Sequence, residues 1–279
     1  MKKKFAAGRL SSEGEAGGNR SPFTSVSLKI DILGSSSKGN CGLLTVDGSH
    51  YLIDVGFSGK QLKERLARYG LTLSDIEGVF LTHEHQDHAA GLKALSKLSE
   101  IRFFANPKTA QAIKERYEIT SRPFSDPWNT FETGDTLTFG DFTVQSFSIP
   151  HDAADPVGFL FRSEEACLAW ATDIGRLTPK ITEYLSQADA LVLEANHDEE
   201  LLWKHPHRPQ YLKERVAGET GHLSNGDVYK FLQNAPPTLK FVYLVHISRE
   251  CNSMELLRKM LEPLAVERGF ELHIVDPND

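Results

Sequence analysis

His83, His85, Asp87 and His88 crowd into one short stretch, LTHEHQDHAAG (residues 81–91). Neutral imidazole and carboxylate are ligands that zinc, manganese and iron all accept, and histidines packed this closely have little structural use without a metal. Side chains alternate in an extended segment, so His83 and His85 point the same way, and Asp87 and His88 follow where the chain turns into the next helix. That spacing offers two imidazoles to one ion and a carboxylate plus an imidazole to a second. The competing reading is a solvated polar turn.

The elements that must position these residues are short. GVFLT is an apolar strand, and the histidine stretch begins where it stops. Upstream, SLKIDIL, GLLTV and HYLID read as strands separated by GSSSKGN and DGS, and GKQLKERLARYG as a helix with Leu62, Leu66 and Tyr69 at helical spacing, ending at Gly70. Downstream, AAGLKALSKLSE puts Leu92, Leu95 and Leu98 on one helical stripe, and IRFFA returns as a strand. The second half repeats this grammar: a hairpin in DTLTFGDFTVQSFSIP around Phe139-Gly140-Asp141, strands VGFLFR and ACLAWATD, a helix near PKITEYLSQ, and the strand ALVLEAN. A polar helical stretch near 210–232, the strand LKFVYLV, a helix over SMELLRKMLEPLAVERG and a last strand FELHIV complete it. Strands in both halves with helices between them predict an α/β protein of two sheets packed face to face with helices outside.

The chain has 279 residues, enough to bury a full core. Residues 1–25 are Gly, Ser and charge and read as a disordered tail; 26–279 reads as one domain, since no boundary-like linker interrupts it. Cys41, Cys167 and Cys251 are widely spaced and odd in number, which argues against a disulfide framework and for a reducing, cytoplasmic setting. The opening lacks the apolar run of a signal peptide, and no segment approaches the apolar length of a membrane span. A formal net charge of −7 gives no general attraction to polyanions, so a nucleic acid would have to be held by metal or by a local basic patch.

A strand, then HxHxDH, then a helix, preceded by Asp54 at a strand end in YLIDVG, resembles the metallo-β-lactamase fold superfamily. SIPHDA supplies His151, ATDIG Asp173 and YLVHIS His246 in matching order, so the resemblance covers about residues 27–275. It implies an αββα sandwich of two mixed β-sheets. It also implies that His83, His85 and His151 hold one metal, that Asp87, His88 and His246 hold the other, and that Asp173 bridges both. Asp54 would orient the histidine loop by hydrogen bonds without binding metal. Two divalent cations, zinc or manganese with iron also acceptable to such ligands, would turn a shared water into hydroxide and clamp the oxygens of an in-line displacement. Asp87 thereby counts among the catalytic residues.

Which hydrolase this implies rests on further matches. Oxygen reductases of the fold usually carry Glu where this chain has His85, which argues against them. LVLEANHD and GHLSN place Glu194 and His222 where the transfer-RNA-processing ribonuclease Z carries the Glu and His that protonate its leaving group. The alternative makes Glu194 a strand-end charge and His222 the neighbour of a helix cap at Ser224. The set GSSSKGNC, LTHEHQDH, IPHDA, ATDIG, LEANHD, GHLSN and HISRECN resembles the YycJ/WalJ branch, with Gln86 where Ser is commoner. The branch implies a dinuclear phosphodiesterase acting on DNA as an exonuclease, with preference for 5′ ends. Rival readings are a small-molecule cyclic phosphodiesterase or thioester hydrolase and, behind these, a ribonuclease.

Other residues carry paired readings. Lys38 and Asn40 in GSSSKGNC either approach a phosphate or serve a tight strand connection. His197 beside Asp198 either supports its loop or touches substrate. KHPHRPQYLKERV gathers Lys204, His205, His207, Arg208, Lys213 and Arg215, a phosphate track or a solvated face. Ser248 and Arg249, after His246, are candidate holders of phosphate oxygens.

Overall fold

The computed structural model describes residues 28–98, 100–117 and 126–278; the tail expected over residues 1–25 lies outside them. The first half comprises β1 (Leu28–Ser36), β2 (Gly39–Val46), β3 (Ser49–Ile53), α1 (Gly59–Ala67), β4 (Ile76–Phe80), α2 (Gln86–Ala89), α3 (Leu92–Leu95), β5 (Arg102–Ala105), α4 (Pro107–Tyr117) and β6 (Trp128–Thr130). The second half comprises β7 (Thr136–Phe139), β8 (Phe142–Ser148), β9 (Val157–Arg162), β10 (Cys167–Ala171), α5 (Pro179–Leu185), β11 (Ala190–Glu194), α6 (Glu199–Lys204), α7 (Gln210–Ala217), α8 (Asn225–Gln233), β12 (Phe241–Val245), α9 (Met254–Arg268) and β13 (Glu271–Ile274).

Each half forms one mixed sheet whose strands lie in chain order, six from β1 to β6 and seven from β7 to β13. Both sheets begin antiparallel and turn parallel: β1 to β3 and β7 to β10 pair antiparallel, and the later neighbours pair parallel. Parallel pairing needs a crossover, and the helices supply it on the outer faces. Between the sheets lies an aromatic layer in which Phe80 stacks on Phe104 at 4.9 Å and meets Phe161 edge-on at 5.3 Å. One outer layer packs α1, α3 and α4 on the first sheet through Leu62, Leu66, Leu95 and Ile113. The other packs α5, α8 and α9 on the second through Ile181, Phe231, Leu257 and Leu261. The fold is the expected αββα sandwich.

Some local expectations change. GSSSKGN is not a connector between separate strands: β1 and β2 run through it as one hairpin, with Ser36 opposite Gly39 and only Ser37 and Lys38 in the turn. Helix α1, capped by Ser58 with Gln61 in a capping box, ends at Ala67, so Tyr69 falls outside it and stays exposed. The stripe Leu92–Leu95–Leu98 is a single turn, α3, with Leu98 packed beyond its end. The polar stretch at 210–232 is two helices, split by a turn at Gly218–Gly221 that carries His222 inward. Gly175 lets that turn close down, since a β-carbon there would run into the backbone of Glu219. Among the described residues, no helix is long and apolar enough to cross a membrane.

Candidate metal centre

Six residues of the expected cluster stand at or just past the C-terminal end of a strand: Asp54 after β3, His83 after β4, His151 after β8, Asp173 after β10, Glu194 at the end of β11 and His246 after β12, while His85, Asp87 and His88 open the short helix α2 and His222 lies on the loop between α7 and α8. The backbone is strained at three of the strand ends. Asp54, Asp173 and His246 have φ of 57°, 59° and 53°, and among the described non-glycine residues only Asp47, in a hairpin turn, joins them at positive φ. Such strain persists only where surrounding structure over-determines it, and three instances at strand ends contributed by both sheets mark a built site.

Hydrogen bonds fix the rings around this site. The Asp54 carboxylate is fully buried; its Oδ1 accepts from the Thr82 backbone N–H at 2.9 Å, and its Oδ2 accepts from the Thr82 hydroxyl at 2.8 Å and faces His88 Nδ1 at 2.8 Å. With its single proton given to Asp54, the Thr82 hydroxyl accepts from His83 Nδ1 at 2.9 Å. His151 Nδ1 faces the Gly221 carbonyl, which can only accept, at 3.1 Å. In His83, His88 and His151 the Nδ1 proton is therefore committed to a fixed acceptor, and the Nε2 lone pair of each is left for the interior of the cluster.

Those lone pairs meet few protons. His83 Nε2 and Asp173 Oδ2 are buried without a hydrogen-bond partner. His88 Nε2 stands 3.2 Å from Asp173 Oδ2 and 3.5 Å from Asp87 Oδ2; His246 Nε2 stands 3.3 Å from Asp87 Oδ2 and 3.5 Å from Asp173 Oδ1. His151 Nε2 lies 3.3 Å from His85 Nδ1. The ligand atoms of His83, His85 and His151 lie within 4.8 Å of one another, as do those of Asp87, His88 and His246, and those of His83, His88 and Asp173. Lone pairs and carboxylates facing one another at these distances repel unless a cation lies among them, so the donor set fits divalent metal.

The electrostatics agree. Burial opposes charge on His88, but Asp173, Asp87 and Asp54 outweigh it and hold its pKa well above the ordinary histidine value. Burial pushes the Asp54 carboxyl up, against the pull of His88 and of the two Thr82 donors, which favour the carboxylate. His246 is raised to about 10 against its own burial, chiefly by Asp173. His83 moves down, through burial and then His88. Asp173, despite burial, is held well below the carboxylate range by His246 and His88. The negative field that draws protons onto His88 and His246 is the field a divalent cation would meet.

Glu194 is built like Asp54. Its Oε1 accepts from the backbone N–H groups of Ile174 at 2.6 Å and Leu223 at 2.9 Å, and its Oε2 faces His222 Nδ1 at 3.0 Å. Although burial works against it, His222 holds the Glu194 carboxyl down at about 2. His246 Nδ1 also lies 3.6 Å from Oε2, and Asp173, Glu194, His222 and His246 form a further group with ligand-like spacing. Glu194 is nevertheless better placed as a ring-orienting anion, because one of its oxygens is already occupied by two backbone donors.

A family model described as the beta-lactamase superfamily domain matches residues 50–247. The chain belongs to that superfamily. It is 34% identical over 257 residues to a Bacillus anthracis protein named exodeoxyribonuclease YycJ, covering 90% of this chain and 96% of that one. It is 33% identical to a Streptococcus pneumoniae protein named exodeoxyribonuclease WalJ, covering 84% and 87%. Among solved structures, the metallo-β-lactamase fold protein YhfI from Bacillus subtilis superposes with a TM-score of 0.68 at 16% identity, over 91% of this chain and 97% of that one. That last likeness is one of fold.

Within this superfamily frame, the expected substrate contacts separate. Lys38 is exposed at the tip of the β1–β2 hairpin, beside Ser37, which lines the cleft over the cluster. Asn40 is buried, not open to a phosphate: its amide nitrogen lies 3.3 Å from Asp87 Oδ2 and 3.1 Å from His88 Nε2, and its oxygen accepts from Ser35 Oγ at 2.7 Å. His197 is buried with Nδ1 unpartnered and its backbone joined to Ser224, away from solvent. Arg249 turns aside to the Pro277 carbonyl, and Ser248 Oγ accepts from the Cys251 N–H at 3.0 Å. The three cysteines are free and buried. The cleft, about 490 Å³, is lined by His85, Asp87, Asp173 and His222 of the cluster together with His205, His207, Arg208 and Arg215. Sequence reasoning missed Thr82, Ser35, Asn196 and Asp152. Ser35 Oγ accepts from the His246 N–H at 2.8 Å and Asn196 Nδ2 donates to the His246 carbonyl at 2.9 Å, so both fix a strained residue. Only the adjacency of Thr82 to His83 and of Asp152 to His151 offered a signal.

Proposed function

We propose that this metal-dependent hydrolase is a dinuclear phosphodiesterase that degrades DNA as an exonuclease, with the 5′-end preference implied by its resemblance to the YycJ/WalJ branch. The observation that carries the reading is the Glu194–His222 pair at the edge of the cluster. A phosphodiester releases an alkoxide whose conjugate acid has a pKa far above neutrality, so a positioned proton donor has work to do there. Similarity to the two exodeoxyribonucleases over most of the chain supports DNA as the substrate.

In this reading His83, His85 and His151 would hold one ion, Asp87, His88 and His246 would hold the other, and Asp173 would contribute to both, with zinc or manganese as the ions. Two such ions would supply Lewis acidity to the phosphoryl oxygens and lower the pKa of a bound water. The chain's own groups do the rest. Asp54 and Thr82 keep the Nδ1 protons of His88 and His83 turned away from the cluster. Glu194, ionised through the neutral range, accepts the His222 Nδ1–H and leaves Nε2 to deliver a proton to the departing oxygen. Residues 26–279 act as one domain, and the buried free thiols suit a cytoplasmic setting.

The test is cleavage of end-labelled single- and double-stranded DNA, matched RNA and a model phosphodiester by wild type and Asp87→Ala, with zinc or manganese. Progressive loss of DNA from one end, absent in the variant, is expected. Protein that carries two ions per chain yet cleaves no phosphodiester would refute the proposal, and cleavage of the model diester alone would move it to a small-molecule substrate.

A further inference from the structure

The segment from the end of α6 through α7 lines the cleft over the cluster with His205, His207, Arg208, Leu212 and Arg215, and its composition is unusual for this molecule. Among the described residues, seven large apolar side chains are exposed, and Leu201, Trp203 and Tyr211 all lie here. Tyr211 is 67% exposed and Trp203 45%. Tyr211 precedes Arg215 by four residues on α7, so the two share a helix face, and Arg215 lines the cleft. Trp203 sits two residues before His205, which also lines it. The Lys213 ammonium donates to the Trp203 carbonyl at 2.8 Å, pinning α7 against the end of α6. Both rings are thus carried on one fixed support.

Cations accompany them. Arg208 meets Glu250 at 2.8 Å and Arg215 meets Asp152 at 2.7 Å, each reaching toward the loops that bear His246 and His151. Exposed pairs of this kind are weak, so a phosphate can replace either carboxylate. In a chain of net charge −7, residues 203–215 hold Lys204, Arg208, Lys213 and Arg215 against the single carboxylate of Glu214.

We propose that residues 203–215 seat a single-stranded stretch of the substrate, with Tyr211 and Trp203 stacking on bases and Arg208 and Arg215 following the phosphates. The inference rests on the nuclease reading and refines its substrate to a DNA end with unpaired nucleotides. Aromatic rings and cations side by side suit a single strand, whose bases are free to stack, better than a duplex, whose bases are not. A small diester would reach the cluster without touching either ring.

The test measures binding of a fluorescent single-stranded oligodeoxynucleotide by anisotropy in the uncleaving Asp87→Ala background, with Trp203→Ala, Tyr211→Ala, both together, and Tyr211→Phe. Each alanine should weaken binding by about fivefold to 150-fold, while Tyr211→Phe, which keeps the ring, stays within about twofold of its parent. DNA cleavage by the same aromatic variants with Asp87 restored should fall in parallel, with a blunt duplex a poorer substrate than a frayed end. An oligonucleotide that does not bind, or binds the double alanine variant as tightly as its parent, overturns the seat. If the rings govern binding but wild type cleaves no DNA, the seat stands and the exonuclease reading fails. If the double variant cleaves DNA at the wild-type rate, the reading stands and the seat fails.

Discussion

Replacing Asp54 by Asn tests the cluster without touching a residue that would bind metal. The backbone N–H of Thr82 can only donate and sits 2.9 Å from Asp54 Oδ1, so the amide oxygen of Asn must take that place. Its NH₂ then falls where Oδ2 was, 2.8 Å from both the Thr82 hydroxyl and His88 Nδ1. The hydroxyl can turn to accept. His88 cannot keep a proton on Nδ1 against a donor, so its proton moves to Nε2 and the lone pair leaves the cluster. Asn also tolerates the left-handed backbone at this position, φ 57°, so the fold should survive. Loss of a carboxylate behind a histidine ligand weakens metal binding by about 10- to 100-fold, or roughly 1.4 to 2.7 kcal/mol. Competition against a chromophoric chelator measures this directly, ion by ion. The expected result is weakening of one ion, that held by Asp87, His88 and His246, with the other little changed. Unaltered affinity for both ions would refute the reasoning about ring orientation, and equal loss of both would locate Asp54's influence in the whole histidine loop.

Further outcomes follow from the same geometry. Glu194→Gln puts an amide NH₂ against His222 Nδ1, because the Ile174 and Leu223 N–H groups hold the other position for an acceptor; kcat on DNA should fall by about 100- to 10,000-fold, with metal content by elemental analysis unchanged. Removing metal with a chelator should lower the thermal midpoint, since each ion present at about a thousandfold above its dissociation constant adds roughly 4 kcal/mol to folding, and re-addition should restore it. Gly175→Ala should lower stability by about 1–3 kcal/mol in denaturant titration, with loss of activity, because its β-carbon pushes on the Glu219 backbone and so on the turn that carries Gly221 and His222. Phe80→Ala, between the sheets, should cost about 3–5 kcal/mol of stability while the folded fraction still binds metal.

The layered fold was legible because strands such as Val157–Arg162 and Ala190–Glu194 are apolar runs bounded by turns, and the residues of the cluster follow strands that could be read this way. What stayed hidden has a physical pattern. The split at Gly218–Gly221 depends on a close approach between two loops distant in sequence, and helical periodicity on either side carries no trace of it. Small polar neighbours left Asn40 open to two readings, phosphate contact or tight strand connection; it is buried because β1 and β2 extend through GSSSKGN and turn its amide onto Asp87 and His88. Arg249 read as a phosphate holder from its nearness to His246, but the Pro277 carbonyl, 28 positions along the chain, takes its guanidinium. Spacing along the chain identifies a residue that could do chemistry; whether its side chain is free depends on partners that only the fold brings near.

Asp54–His88 and Glu194–His222 show how one device serves two ends. In each, one carboxylate oxygen is pinned by backbone N–H, from Thr82 at Asp54 and from Ile174 and Leu223 at Glu194, and the other oxygen faces Nδ1 of a histidine, which fixes both the ring and the proton it carries. The difference lies in what surrounds Nε2. The His88 side chain is wholly buried, with Asp87 and Asp173 within 3.5 Å of Nε2, an anionic enclosure that a metal ion can complete. The His222 side chain keeps 19% exposure and lines the cleft, so its Nε2 has access to whatever enters. Exchanging Glu194 for a neutral residue should therefore impair the departure of a poor leaving group far more than of a good one. A nitrophenolate leaves without a proton, whereas the sugar alkoxide of DNA does not. A Glu194→Gln variant that retained turnover of a nitrophenyl diester while losing DNA cleavage would assign the pair to protonation of the leaving oxygen; equal loss on both would show that it acts instead on the cluster, through His246.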